Sequence, residues 1–474
     1  MTEIRSTSDR TRRGEDLHLD LGPGDSPTGL RARLMEALRE SVRTGRLDRG
    51  TKLPSSRSLA YDLGISRNTV VEAYGELVAE GWLTAAHGSG TRVADWVAPP
   101  EAEPDPPARP RLASPAHDLQ AGRPDASSFP RAQWARSTRR ALAAAPDEAF
   151  GYGATRGRIE LRAALAAYLA RVRGVRTDPD HIIICSGAMH GLMLLENALR
   201  ARRVRTVAVE SYSLRLHHDA LAPGGGMTRA IDVDEYGARV DQLANLPDAG
   251  AVLLTPAHQF PTGVALHPDR RATVLNWARD GGRFVLEDDY DGEFRYDRQP
   301  VGALQGLAPE HVVYLGTASK SLAPGLRLGW LVVPQSLRAD LEQAKGDQDL
   351  MTGVVGQLTL ADFINSGAYD RHIRAMRLTY RRRRDQLVAA LADIPDVSVS
   401  GLEAGLHAIV ALPGGSERTV LEAAGRRRLN IEGLGFYRHP EARPLPDALV
   451  VGYATPSPSA WSGALRALLD VLPR

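Results

Sequence analysis

The stretch VVYLGTASKSLAPGLRLGWLVV (312–333) is two apolar runs, 312–317 and 328–333, held apart by a turn-forming segment that carries Lys320. Short apolar runs bounded by Gly and Pro read as buried strands. Upstream, runs of the same kind recur at 181–185, 206–210, 251–255 and 283–287, alternating with helical stretches. Strand–helix alternation over this length predicts an α/β domain with a mostly parallel sheet. Ligands of such sheets collect beyond the carboxyl ends of the strands, and Lys320 follows one such end.

Composition makes Lys320 conspicuous. Of 59 Lys+Arg in 474 residues, only Lys52, Lys320 and Lys345 are lysines, so a function that needs a primary amine has few candidates. Lys345 is expected on solvated surface. Arg327, seven residues after Lys320, has the fork geometry to clamp a phosphate, with the Thr317 hydroxyl beside it; the plainer alternative for Arg327 is a surface ion pair. In LEDDYDGEF (286–294), Asp288 again stands at a strand end, with Tyr290 two residues on. An acidic run also binds metals or caps helices, but no histidine or spaced carboxylate completes a ligand set here. SGAMHGL (186–192) follows the run 181–185 and opens a helix, so free amides from Ser186 to Met189 form a phosphate seat. Cys185 reads as packed core rather than nucleophile. An amine, a carboxylate, a hydroxyl and a phosphate seat are what pyridoxal 5′-phosphate (PLP) asks of a protein: a Schiff-base lysine, a partner for the pyridine nitrogen N1, a group at the ring oxygen, and anchoring donors.

The other end of the chain has a different character. Residues 98–115, APPEAEPDPPARPRLASP, are proline-dense and aperiodic and read as a semi-rigid linker. Before them Leu30, Leu34, Leu38 and Val42 form one helical stripe. A short helix should follow Pro54-Ser55-Ser56 with Leu59, Ala60 and Leu63 inward; Gly64 ends it and Ser66 caps the next. There Val70, Tyr74, Leu77 and Val78 face inward, leaving Arg67, Asn68 and Thr69 at an exposed N-terminus. Two β segments, 82–85 and 91–93, flank His87-Gly88-Ser89-Gly90 as a hairpin. Helix, tight turn, second helix and hairpin outline a winged helix-turn-helix, whose second helix fits a major groove about 12 Å wide. A small helical domain for dimerisation or peptide binding has the same outline.

Bulk properties exclude other classes. Hydrophobic content of 43% and charged content of 24% describe a globular protein, and no apolar run reaches a membrane span of about 18 residues. MTEIRSTSDRTRRGEDLHLDL lacks an apolar h-region, so secretion is not expected. One cysteine precludes an intramolecular disulfide and fits a cytoplasmic protein. Net charge is +2, and residues 1–95 balance 14 Lys+Arg against 14 Asp+Glu. Only residues 43–67, with Arg43, Arg46, Arg49, Lys52, Arg57 and Arg67 against Asp48 and Asp62, offer a local positive excess for phosphates.

Residues 53–93, with PSSR, SRNTV, EG and GSGT in that order, closely resemble the GntR-type winged helix. The resemblance implies that Arg57, Arg67, Asn68, Thr69, His87 and Gly88 contact DNA. Residues 118–474 resemble the fold-type I aminotransferases. Together, and on TPAHQFPTG (255–263), EDDYDGEF and GTASKSLAPGLRLGW, the chain resembles the MocR family of regulators. Its expected fold is thus α/β: a fold-type I PLP-dependent aminotransferase-like domain (118–474) preceded by a small winged helix-turn-helix (24–95) and a Pro-rich linker (96–117). The resemblance implies Lys320 as the Schiff-base lysine, Asp288 on N1, Tyr290 on the ring oxygen, and Ser186, Gly187, Ala188, Thr317 and Arg327 at the phosphate. Tyr152, in YGATRG (152–157), matches a tyrosine reaching the phosphate from the partner subunit, which implies a homodimer; the linker's reach, up to about 55 Å at about 3.1 Å per residue, permits domain swapping. Tyr212 is the ring-stacking candidate, although VESYSL (209–214) departs from the commoner pattern.

Two departures bear on activity. Phe260-Pro261-Thr262-Gly263 stands where aminotransferases usually carry Asn-Pro-Thr-Gly. In LVVGYAT (449–455), Val450 occupies the place of an arginine that grips a substrate carboxylate in amino-acid-binding relatives. Without that clamp an α-amino acid is poorly oriented for proton abstraction, unless Arg123, Arg215 or His407 substitutes. The expectation is a sensor rather than an efficient transaminase, analogous to PdxR-type members that respond to PLP and control vitamin B6 synthesis. The alternatives are a GabR-like regulator that senses an amino compound through PLP, and a genuine PLP-dependent aminotransferase.

Overall fold

Two compact units divide the chain, Met1–Leu112 and Ala113–Arg474. The computed structural model describes residues 19, 21, 29–86, 90–95, 115–222, 225–296, 301–401 and 403–473; the wing tip, with His87 and Gly88, and most of the Pro-rich linker lie outside them.

In the first unit, helix α1 (Leu30–Arg43) buries Leu34, Met35 and Leu38. Helix α2 (Ser56–Asp62) is capped by Ser55 and ends before Gly64, whose φ of +64° is in the left-handed region that suits glycine. Helix α3 (Arg67–Ala79) buries Val70, Ala73, Tyr74 and Leu77. Strands β1 (Leu83–Ala86) and β2 (Gly90–Val93) pair antiparallel, Leu83 opposite Val93. Thr51 and Leu53 extend this hairpin by hydrogen bonds with Val93 and Thr91. One apolar cluster, from Leu34 to Val93, unites all five elements.

The second unit is built on seven strands: β3 (Ile182–Cys185), β4 (Thr206–Glu210), β5 (Met227–Ile231), β6 (Ala249–Leu254), β7 (Phe284–Asp288), β8 (Val312–Thr317) and β9 (Gly329–Val332). Their order is β3-β9-β8-β7-β6-β4-β5. Neighbours pair in parallel except β9, which runs antiparallel to both β8 and β3. Helices cover both faces, which is why the central strands read as unbroken apolar runs. Along β3, Ile182 and Ile184 enter one core cluster while Ile183 and Cys185 enter the other. The edge strand β5 escapes a reading of apolar runs because it is half exposed and carries Thr228 and Arg229 in its middle. The long helix Ala368–Leu391 leads into a four-stranded antiparallel sheet of Ser398–Ser400, Ala408–Ala411, Ala448–Val451 and Glu432–Gly433.

Candidate functional site

The carboxyl ends of the central strands meet at one cavity of about 240 Å³. Lys320 enters it from the loop that joins β8 to β9, and Arg327 from the far end of the same loop. Because β8 and β9 pair as a hairpin, with Thr317 opposite Gly329, the two cations are held on one closed loop. Asp288 and Tyr290 come from the end of β7, and Glu210 from the end of β4. Ala188 and Met189 open helix α4 (Ala188–Ala201) after β3.

The lysine is largely withdrawn from solvent. Its Nζ donates to the Gly122 carbonyl oxygen at 2.5 Å. Burial lowers its pKa from the ordinary lysine value, against the pull of Asp288 and Asp291. Burial pushes the Asp288 carboxyl up to about 7, with the Lys320 ammonium opposing. His217, on helix α5 (Arg215–Leu221), lies 3.7 Å from Asp288 Oδ2 through its Nδ1. Burial lowers this imidazole to about 3, so it is a neutral wall of the cavity at physiological pH.

At the other end of the cavity Arg327 makes no ion pair among the described residues, and its φ of +53° turns it out of line with β9. Gly187 caps α4 with φ +88°, and a Cβ there would stand 3.2 Å from Arg327 Nη1. Gly329 is equally confined, since a Cβ would stand 2.9 Å from the Gly187 backbone. The glycines let a guanidinium and a helix N-terminus converge, with the Thr317 and Ser319 hydroxyls 2.9 Å apart beside them. A free guanidinium, hydroxyls and helix amides form an anion seat. One amine, the buried Asp288 carboxyl and this seat around a cavity of that size fit PLP. When bound, that group supplies an amine-reactive aldehyde and an electron-withdrawing ring.

The cavity wall thus contains Lys320, Asp288, Tyr290, Ala188, Thr317 and Arg327, but not every residue singled out from the sequence. The Ser186 amide is not free: it donates to His190 Nδ1 at 3.1 Å, which leaves the seat to the amides that follow. Tyr212 is absent from the wall; its hydroxyl accepts from the Leu445 amide at 2.7 Å, and it packs with Phe260, Tyr437 and Val450. From that segment Ser213, Leu214 and His217 face the cavity instead. Tyr152 is 92% exposed, outside the wall. Lys345 is not solvated surface but fully buried, its Nζ 2.5 Å from Asp349 Oδ1. Sequence reasoning missed Gly122, Glu210 and His217. Glu210 could have been found as Asp288 was, a carboxylate ending an apolar strand.

Of the three groups that could replace the missing arginine, Arg123 stands nearest the site, where its charge helps to lower the Lys320 pKa. Arg123 is half exposed and lies 3.7 Å from Asp118, and Arg215 points to solvent beside Asp219. His407 is buried, donating Nε2–H to the Pro261 carbonyl at 2.9 Å.

In the first unit, Ser66 Oγ accepts from the Thr69 amide at 3.1 Å and so fixes the start of α3. Arg67 and Asn68 are exposed there, with Thr69 half-buried and Arg57 exposed on α2. Three of the four arginines of α1 are paired with acids: Arg31 with Glu72 and Glu76, Arg39 with Glu80, Arg43 with Glu36 and Glu40. Arg57 and Arg67 make no ion pair among the described residues, and neither do Arg46, Arg49, Lys52 and Arg92.

Comparison with known proteins agrees with both halves. Residues 30–93 match the family model of bacterial regulatory proteins of the gntR family, and residues 117–425 match aminotransferase class I and II. The HTH-type pyridoxine biosynthesis transcriptional regulator PdxR of Corynebacterium glutamicum is 34% identical over 89% of this chain and 91% of its own length. The probable rhizopine catabolism regulatory protein MocR of Rhizobium meliloti is 30% identical over 94% of each chain. Among solved structures, kynurenine aminotransferase of Pyrococcus horikoshii, in complex with PMP, superposes with a TM-score of 0.67 at 27% identity, covering 76% of this chain and 91% of that one. The fold implies PLP as the cavity's ligand, and the head implies DNA as a partner. The chain belongs to the MocR family of HTH-type transcriptional regulators, in which a GntR-type head is joined to a body of aminotransferase fold.

Proposed function

We propose that this regulator senses PLP itself and controls PLP synthesis, with the ligand attached at Lys320 as the signal. The observation that carries the reading is the cavity: it offers one amine, Asp288 for the ring nitrogen, Tyr290 for the ring oxygen and the Arg327–Thr317–Ala188 seat for the phosphate, while Val450 and its apolar neighbours supply no grip for a substrate carboxylate. A cavity of about 240 Å³ has room for a substituted ring and its phosphate. His217 takes the place of Tyr212 as the group against the ring.

The head, assigned to 24–95, reads DNA through Arg57, Arg67, Asn68 and Thr69, with a Pro-rich linker over 96–117 and the sensing body over 118–474. The body acts in the cytoplasm as a homodimer; the exposure of Tyr152 suits a side chain that completes the partner's phosphate seat. A signal of this kind requires that PLP bind the DNA-competent and DNA-incompetent states with different affinity.

The test is binding of the purified full-length protein to DNA upstream of its own gene, with and without PLP at fixed salt. PLP should change the affinity of the native protein and not that of Lys320→Ala. An unchanged response in Lys320→Ala would sink the proposal. Binding that ignores PLP but responds to an amine, with a spectral shift, favours amine sensing; steady turnover of an amino acid with 2-oxoglutarate favours an aminotransferase.

A further inference from the structure

TPAHQFPTG and the last acid of EDDYDG have no role in the site as described so far, and the fold brings them together. His258 Nδ1 lies 2.8 Å from Asp291 Oδ2 and 3.0 Å from the Tyr290 hydroxyl. The side chains of His258 and Asp291 are each 2% exposed, so neither exchanges its partner for water. Gly405 backs onto the pair with φ +76°; a Cβ there would stand 2.6 Å from Asp291 Oδ2 and closer still to the imidazole. The backbone is shaped to admit this dyad.

Proton counting gives the dyad a direction. An ionised carboxylate accepts hydrogen bonds and donates none. The hydrogen on Nδ1 is therefore given to Asp291, and that nitrogen keeps no lone pair with which to accept from Tyr290. The phenol's own hydrogen is left to point into the cavity that Tyr290 lines. Asp291 is the one rival acceptor among the described residues, since it also draws on the Tyr290 hydroxyl, but its Oδ2 already accepts from His258 Nδ1 at 2.8 Å. The titratable groups around Tyr290 are Asp288, Asp291, His258 and Tyr453, and Tyr453 spends its hydroxyl on the carbonyls of Ala404 and Gly405. His407 stacks 5.3 Å from His258 and donates to Pro261, away from the dyad.

We propose that Asp291 and His258 are positioning residues that fix Tyr290 as a hydrogen-bond donor to the ring oxygen of bound PLP, and thereby set the ligand's protonation. This rests on the assignment of Tyr290 to the ring oxygen under Proposed function. A donor at that oxygen favours the form of the ligand carrying negative charge there, so its loss moves the titration midpoint to higher pH.

The experiment is a pH titration of the visible absorbance of the PLP-loaded full-length protein. Tyr290→Phe, the isosteric Asp291→Asn and His258→Phe should each raise the midpoint, by about one pH unit for one lost hydrogen bond to a charged group. Tyr290→Phe/Asp291→Asn should move it no further than Tyr290→Phe alone. If Tyr290→Phe moves the midpoint while Asp291→Asn and His258→Phe leave it in place, the dyad proposal falls and the assignment of Tyr290 stands. If the double variant moves further than Tyr290→Phe, Asp291 acts through its own charge and the proposal falls. If Tyr290→Phe leaves the midpoint unchanged, the proposal and the assignment fall together.

Discussion

Two lysines of one chain have opposite fates, and their surroundings explain why. Lys320 ends in a cavity, with a single carbonyl as partner; Lys345 ends in the core, bound to Asp349 and to Thr352 at 3.1 Å. Lys345→Met keeps the volume but strands both partners, and should lower the urea midpoint by the equivalent of about 1–3 kcal/mol; an unchanged midpoint would show that the pair only offsets its own burial. The sequence carried a signal for that burial: Leu337, Leu341 and Lys345 repeat every four residues on one helix face. Its charge alone argued for the surface. His407 makes a prediction with a sign. Burial holds its pKa at about 4, below the unfolded value of about 6.5. Its neutral form is favoured in the fold, so as pH falls from 6.5 the unfolded chain gains a proton that the folded one refuses, and stability is lost until about pH 4. His407→Phe should flatten that loss by up to about 3 kcal/mol between those limits, read from urea midpoints at each pH. Asp288, Glu210 and Glu287, each pushed to about 7, work in the opposite sense in both proteins and cancel in the comparison. Lys320, Asp288 and Arg327 were legible in the sequence because each sits at a strand end among turn residues. His217 was not, because the phase of a seven-residue helix after an atypical turn cannot be counted from apolar spacing.

Within the large sheet, legibility followed burial. Its central strands announce themselves by continuous apolar runs, whereas β5 lies half exposed at an edge; in the small sheet the edge strands Ser398–Ser400 and Glu432–Gly433 run too briefly for a pattern. The start of α3 was legible for a different reason, a hydroxyl at the N-cap, and it makes the element's prediction. Ser66→Ala removes the acceptor for the Thr69 amide and costs about 1 kcal/mol of helix stability. Since Arg67 and Asn68 are presented by that first turn, DNA affinity should fall about fivefold, the equivalent of that energy, while PLP absorbance is unchanged. A fall in both would mean that the substitution damages more than the turn.

For the whole molecule, the division into two units follows from a composition break that any reading of the chain meets, and each unit has its own apolar cluster. Charge in the head is arranged differently from what its total suggests: a balanced count conceals acids committed to arginines of α1, while the basic residues of 46–67 make no ion pair among the described residues. The hairpin of β8 and β9 has a larger consequence. It ties down both ends of the loop 318–328, near which Lys320 and Arg327 stand. A ligand joined at one end through a covalent bond and at the other through its phosphate becomes a brace across a loop already shut at its base. Its binding would then register as slower opening of that loop, not as a rearranged sheet. Amide hydrogen exchange should show it directly: protection gained over 318–328 on adding PLP, none over β7, and none anywhere in Lys320→Ala. What the ligand contributes to such a molecule is stiffness at one place, and a regulator can transmit a change in stiffness without a change in shape.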